Sequence, residues 1–282
     1  MVQRYDEQAR KILALQKEDG CWGYFHTLSG PERYPISTEQ ALRRLSILGF
    51  TMADEPIRRA VSYMDDCLAG RQAIPDRREK THNWDLFTAM MLATWIRRFV
   101  PDHDHANQIA RSWASVITAA FATGAYDAAA YNRAYSNTFG LSPRGARFED
   151  FVSFYQVSLL SDTLDATTEA TVFDYILRHP HGIYYIYEAA PLVDLPPEFA
   201  TRQASRYLGA IALMADYRRQ IHKLSFVADW LAQQRNENGG WDMGGTVNDK
   251  IYFPLSASWR PKGARENDCT DRITRLLTRL AE

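Results

Sequence analysis

Cysteine is scarce in this chain of 282 residues. Cys21, Cys67 and Cys269 are odd in number and far apart, which argues against a disulfide framework and against a Cys-x-x-Cys zinc site, and reduced thiols are expected. A surplus of charge of one sign is lacking as well. With 33 basic and 34 acidic residues the formal net charge is -1, so no global field draws the protein to nucleic acid or to anionic lipid, and any anion site has to be local. Apolar runs such as Phe87 to Ile96 are too short to span a bilayer, so no membrane span is expected. The first residues carry Arg4, Asp6, Glu7, Arg10 and Lys11 with no apolar leader, and a cytoplasmic location follows as the expectation. There is no Gly-rich phosphate loop, no Gly-x-Ser-x-Gly elbow and no clustered basic and aromatic pattern for nucleic acid.

What is present is helical periodicity. Apolar residues make up 46% of the chain, enough for a sizeable core, and they recur at spacings of three and four with almost no strict alternation. Eleven helices are predicted, over about 4–16, 37–48, 56–68, 83–99, 104–123, 125–138, 148–160, 167–177, 201–217, 224–234 and 268–280. Ser37 with Gln40 makes a capping-box pattern, Pro56 suits a first turn, and Gly70 and Gly124 close their helices. The class is therefore all-α, with no low-complexity linker dividing the chain, and one domain is expected. Two stretches depart from it. Gly182 to Tyr187 is β-prone but has no obvious partner strand, and is read as a short helix or an extended loop whose tyrosines face something apolar. Gly239 to Gly263 is a long irregular stretch, of a length that is more often functional than accidental.

Two helix ends share a pattern. Ile12-Leu-Ala-Leu-Gln16 runs into Asp19-Gly20-Cys21-Trp22, and Trp230-Leu-Ala-Gln-Gln234 runs into Asn238-Gly239-Gly240-Trp241. A helix that ends in a glycine turn and then drops a tryptophan onto its neighbour is a device for stacking helical hairpins. The pattern resembles the repeat of the prenyltransferase and squalene-cyclase superfamily, in which a Gln and an Asp-Gly-x-Trp turn join an outer to an inner helix. Gln16, Gly20 and Trp22 match it in spacing; in the second copy Gln234 sits one residue early and Arg235 takes its place. The resemblance covers the two ends of the chain, while the segment from about Gly70 to Asp216 is placed by helix alternation alone. It implies a single α/α toroid of about six inner and six outer helices. The helices opening at Ser37, Asn83, Thr201 and Asp268 would be inner ones, with their N-termini converging on one end of the cavity as an anion site.

The motifs for the two standard cyclase chemistries, Asp-x-Asp-Asp and Asp-Asp-x-x-Asp, do not occur; Met64-Asp65-Asp66 is the nearest string and suits a solvated helix face. Cys269 between Asp268 and Asp271 has residue types seen in prenyltransferase zinc sites, but no histidine follows it, and a capped helix start at Asp268 with a buried thiol explains it better. Asp102-His-Asp-His105 is likewise better read as a helix cap, so no metal site is assigned and no cofactor is named. The candidate acid/base residues are His82 and Asp85, at the mouth of an apolar helix, and Glu39, at the equivalent place on the first inner helix. Trp84, Tyr184, Tyr185, Tyr187, Tyr252, Phe253 and Trp259 are candidates for an aromatic cavity wall, and Arg202 and Arg206 for an anion grip.

These residues suit an enzyme or binding protein for an apolar, isoprenoid-like ligand, with or without a diphosphate. A glycan-processing or glycan-binding toroid is a second reading, because aromatic platforms and carboxylates suit sugars too. A scaffold subunit that needs a protein partner is a third, and would display an exposed apolar patch on one rim.

Overall fold

The computed structural model describes residues 6–26, 34–80, 82–144 and 150–282. Among them are eleven α-helices: α1 (Asp6–Leu13), α2 (Thr38–Ile47), α3 (Glu55–Leu68), α4 (Trp84–Phe99), α5 (Asp104–Ala120), α6 (Ala128–Phe139), α7 (Phe154–Leu160), α8 (Ala166–Arg178), α9 (Arg202–Met214), α10 (Ser225–Gln233) and α11 (Ala264–Leu280). Short 3-10 helices cover Arg218–Leu224 and Gly245–Val247, and no strand is present among the described residues. Among the described residues no helix is long and apolar enough to cross a membrane. The predicted helix over 4–16 begins before the described residues, and the residues before Asp150 in the one over 148–160 lie outside them in part.

Local chemistry accounts for most of the helix starts. Ser37 accepts from the Gln40 amide at 3.2 Å while the Gln40 side chain accepts from the Ser37 amide at 3.2 Å, completing the capping box of α2. Asp127, Asp165 and Thr201 cap α6, α8 and α9 through their side-chain oxygens. His103 caps α5, its ring nitrogen accepting from the Ala106 amide at 3.3 Å, so the Asp102-to-His105 string serves as the helix cap read from the sequence.

The two tryptophan turns are superimposable in their bonding. The indole N–H of Trp22 donates to the Ile12 carbonyl at 2.7 Å, and that of Trp241 to the Leu231 carbonyl at 2.7 Å. Each tryptophan amide donates to a threonine hydroxyl on the helix that follows, Thr38 at 2.9 Å and Thr270 at 3.0 Å. Both rings are almost fully buried. Gly20, with φ +94°, lies so close to α3 that a Cβ would stand 2.4 Å from the Arg59 carbonyl oxygen, which is why this turn requires glycine. Gln16 donates to the Gly20 carbonyl at 2.9 Å and to that of Pro56 at 2.8 Å, fastening the turn to α3. In the second turn, where Arg235 occupies the corresponding place, the guanidinium lies over the Trp241 ring and Asn236 does the fastening, accepting from the Gly240 amide at 3.0 Å.

Consecutive helices pack against each other, α3 on α4, α4 on α5 and α5 on α6, while α4 also packs on α7. Residues of α2, α4, α7, α9 and α11 line one partly open cavity of about 270 Å³, whereas α1, α3, α5, α6, α8 and α10 contribute nothing to its wall. The two ends of the chain meet: Arg44 on α2 donates to the carbonyls of Ile251 (2.9 Å) and Pro254, Gln8 on α1 to that of Ala257 at 3.0 Å, and Arg275 on α11 to that of Ile47 at 3.5 Å.

Two expectations about element boundaries change. The helix predicted over 148–160 starts only at Phe154, because Val152 and Ser153 are held extended: the Tyr184 amide donates to the Val152 carbonyl at 3.1 Å and the Phe154 amide to that of Tyr184 at 3.0 Å. The β-prone Gly182–Tyr187 segment thus finds a short partner after all, and forms a tight loop rather than a helix. The last helix begins at Ala264, a turn before Asp268, so Asp268 is not its cap. Its carboxylate, only 2% exposed, instead accepts from the amides of Leu255 (2.8 Å) and Ser256 (2.9 Å), the Ser256 hydroxyl (2.9 Å) and the Trp259 indole N–H (2.7 Å).

Candidate functional site

A cleft of about 1140 Å³ lies between α1, the start of α2, Tyr185 and the loop from Asn248 to Trp259. Its floor is built by the first tryptophan turn. After Trp22 the chain is tied to the start of α2, where the Thr38 amide donates to the Tyr24 carbonyl at 2.8 Å and that of Glu39 to Phe25 at 3.0 Å. Asp76 accepts from the amides of Phe25 and His26. His26 is thereby fixed beside Glu39, in the first turn of α2, where a carboxylate is also favoured by the helix dipole.

Glu39 is 7% exposed and is satisfied on three sides: the Tyr155 hydroxyl donates to Oε2 at 2.6 Å, His26 Nδ1 lies 3.1 Å from the same oxygen, and Arg43 donates to Oε1 at 3.0 Å. The Tyr155 oxygen is also 2.7 Å from His26 Nδ1. Both neighbours of Nδ1 are acceptors, since the phenol gives its own proton to Glu39, so Nδ1 carries a proton and Nε2 is the ring nitrogen outside this cluster, on a residue that lines the cleft. Burial opposes charge on both groups. It is outweighed: Glu39, with lesser help from Asp76 and Glu79, raises the His26 pKa, while His26, Arg43 and Tyr155 hold Glu39 below its usual value. Burial and the Glu39 charge push the Tyr155 phenol well up, so it stays a hydrogen-bond donor. Glu39 is therefore an ionised acceptor, unsuited to giving a proton to an alkene, and His26 is the group of the cluster able to give or take one at the cleft.

The signs fix a pH window. The His26 contribution is complete below its ordinary pKa of 6.5 and lost as pH rises through the raised folded value; that of Glu39 is complete above its ordinary 4.5 and lost as pH falls through the depressed one. Glu39→Gln is expected to cost about 3–5 kcal/mol in urea unfolding, because it breaks a buried charged cluster from one side. The loss should be larger at about pH 5.5 than at a pH above the raised His26 value, where the imidazole is neutral in both proteins. An equal loss at both pH values would contradict the assignment.

The candidates read from the sequence are scattered rather than gathered. Glu39, Tyr185 and Trp259 line the cleft, and Tyr252 lines the inner cavity. His82 and Asp85 do not form a pair: His82 Nε2 is 2.7 Å from Glu79, while Asp85, with 78% of its side chain exposed, is bound to Arg78 at 2.8 Å. Trp84 lies with them at a separate surface hollow, the ring of His82 stacked on it. Tyr184 serves the backbone bridge, Tyr187 is buried against Tyr207, and Phe253 is buried against Trp259. Arg202 spends its guanidinium on the carbonyls of Thr246 (2.7 Å) and Asn248 (3.4 Å), and Arg206 is exposed, so neither stands at the cleft or the cavity. Of the helix N-termini expected to converge, only that of α2 lines the cleft. Asp65 and Asp66 share Arg71 on the surface. All three thiols are pushed up to about 11 by burial, and Cys269 accepts weakly from the Met243 amide, which leaves it a neutral buried thiol.

Sequence reasoning misses His26, Tyr155, Arg43 and Arg272. Only Arg43 left a local signal, as a cation four residues after Glu39; Tyr155 is 116 residues from its partner. No match emerges from comparison with protein-family models, with curated proteins or with solved structures.

Proposed function

We propose that the chain is a single α/α toroid that binds, and through His26 acts on, an apolar isoprenoid-like ligand held in its centre. One observation carries the reading: five helices spread along the chain, α2, α4, α7, α9 and α11, face a common cavity with largely apolar walls, including Trp95, Phe154, Leu208 and Leu276, and Arg43 lines both this cavity and the open cleft. Contact between the two chain ends and the matched tryptophan turns support ring closure. In this reading the cleft is the entrance, Tyr185 and Trp259 offer aromatic faces to the ligand, Glu39 and Tyr155 orient the imidazole, and Nε2 of His26 exchanges a proton with the ligand. Glu39 positions and does not protonate. Three free thiols fit a reducing compartment such as the cytoplasm. The four large apolar side chains exposed among the described residues, Leu15, Leu141, Tyr185 and Leu195, come from separate segments, which gives the scaffold reading little support.

Thermal unfolding in the presence of a ten-carbon isoprenoid alcohol, and of oligosaccharides, tests this. A ligand at 100 times its Kd adds about 2.7 kcal/mol to the folded state. The alcohol is expected to raise Tm, and sugars to leave it unchanged. A rise with sugars alone would transfer the cleft to glycans, and no rise with either would remove the ligand-site reading.

A further inference from the structure

Five arginines line the inner cavity, an unusual number for walls that are otherwise mostly apolar. Four of them have carboxylate partners. Arg43 pairs with Glu39 at 3.0 Å, Arg275 with Asp271 at 2.7 Å, and Arg98 and Arg279 share Asp216 at 3.3 and 2.7 Å. The fifth, Arg272, has none among the described residues. It is half-buried, with its guanidinium over the rings of Tyr252 and Phe253, and donates to the hydroxyl and the carbonyl of Ser205, both at 2.6 Å. Asp249 is the carboxylate whose charge favours the Arg272 guanidinium, without a salt bridge to it: its Oδ1 accepts from the amides of Ile251, Tyr252 and Phe253, its Oδ2 is buried without a hydrogen-bond partner, and its field is shared with Arg44, a buried guanidinium without a salt-bridge partner among the described residues. Burial disfavours the charged form of both arginines. Five guanidinium groups thus face three paired carboxylates around the cavity.

A buried cation without a counter-ion is costly and persists where something else compensates it. A guanidinium has five N–H donors; Ser205 engages two, leaving a fork suited to a carboxylate. At ~30 Å³ per water-sized group, a cavity of about 270 Å³ has room for about nine such groups. We propose that the inner cavity takes a small apolar molecule ending in a carboxylate, of eight to ten carbons, with the carboxylate on Arg272 and the hydrocarbon body against Trp95, Phe154, Leu208, Leu213 and Leu276. This deepens the preceding reading and rests on it: the ligand is the acid form of the apolar molecule, and its head points away from His26's cleft toward α11. A single unpaired guanidinium suits a monoanion better than a diphosphate, whose higher charge calls for several cations.

The test is calorimetric titration of the full chain with a branched ten-carbon carboxylic acid, the corresponding alcohol, its methyl ester and its diphosphate. The wild type is expected to bind the acid at least about tenfold tighter than the alcohol or ester, which is 1.4 kcal/mol. Arg272→Met, which removes the unpaired charge and keeps the volume, is expected to fold and to lose that preference. Ala212→Phe, which fills the cavity from α9, is expected to lose binding of all three and serves if the arginine variant does not fold. Equal binding of acid, alcohol and ester by the wild type, a preference that survives Arg272→Met, or tighter binding of the diphosphate would each overturn the carboxylate assignment while leaving the cavity as a ligand site. No binding of any of the four would overturn both.

Discussion

Replacing Trp22 by alanine is expected to lower stability by about 3–5 kcal/mol, the usual cost of truncating a buried tryptophan. The ring is 1% exposed, and it joins three elements: its N–H closes the end of α1 at Ile12, its backbone amide holds Thr38 at the start of α2, and its turn abuts α3 at Gly20. Trp22→Phe separates the contributions, since it keeps most of the apolar area but removes the indole bond to the Ile12 carbonyl, which retains the Leu15 amide as donor, at about 0.5–1.5 kcal/mol. Urea unfolding of both variants, and of Trp241→Ala and Trp241→Phe, measures this directly. Because the two turns are bonded alike, the two pairs of variants should lose similar amounts. A loss below about 1 kcal/mol for either alanine variant, the size of an ordinary surface substitution, would mean that the turn is not a structural fastener.

The second large effect is expected at Asp268. Asp268→Ala removes one acceptor from four donors, three of which belong to the buried or half-buried stretch Leu255–Ser256 and the fourth to Trp259. Hydrogen bonds to a charged group are worth about 1.5–3 kcal/mol each, but they are not additive, and a loss of about 4 kcal/mol is expected. The functional consequence is larger than the stability figure suggests, because the freed loop carries Ile251, Pro254, Ala257, Ser258 and Trp259, which form one wall of the cleft. Ligand binding at the cleft should weaken by at least about tenfold, the equivalent of 1.4 kcal/mol. Asp268→Asn should fall between the two, since an amide oxygen accepts from some of the donors but carries no charge. Hydrogen exchange localises the effect: the amides of Leu255 and Ser256 should lose protection in the alanine variant while those of α4 and α5 keep theirs. Unchanged protection there would show that the loop is held by other contacts.

The helices are legible in the sequence because each buries a stripe of apolar residues and most carry their own start signals, as Ser37 and Gln40 do for α2 and Asp165 for α8. The tryptophan turns are legible because the glycine turn, the indole and the carbonyl that the indole binds lie close in sequence, ten residues apart in each copy, although the threonines and the α3 contacts are distant. The site is legible only at Glu39, Tyr185, Tyr252 and Trp259, where position in the fold could be argued from a helix start or an irregular stretch. His82 and Asp85 attract attention as neighbours in sequence, yet the first turn of α4 turns them to different partners, Glu79 and Arg78. The converse holds for His26 and Tyr155, which meet across 129 residues through the pairing of the Trp22 turn with α2 and the packing of α7. Periodicity reports which face of a helix is inside, but not which residue it meets there. Asp268 shows the same limit, since a carboxylate near a helix start looks like a cap whether it binds its own amides or those of a loop nine to thirteen residues before it.

The meeting of the chain ends has a consequence for the order of events during synthesis. A chain leaves the ribosome N-terminus first, at about 5–20 residues per second. Arg44 is committed to a buried position on α2 whose acceptors, the carbonyls of Ile251 and Pro254, are made some two hundred residues later, and the Ile47 carbonyl waits for Arg275. Until then the N-terminal helices have an open seam along α2, with a guanidinium that must remain in water. The nascent protein can form its local hairpins early, but its cavity comes into being only when α11 has emerged, so the wall that α11 shares with α2 is the last to close.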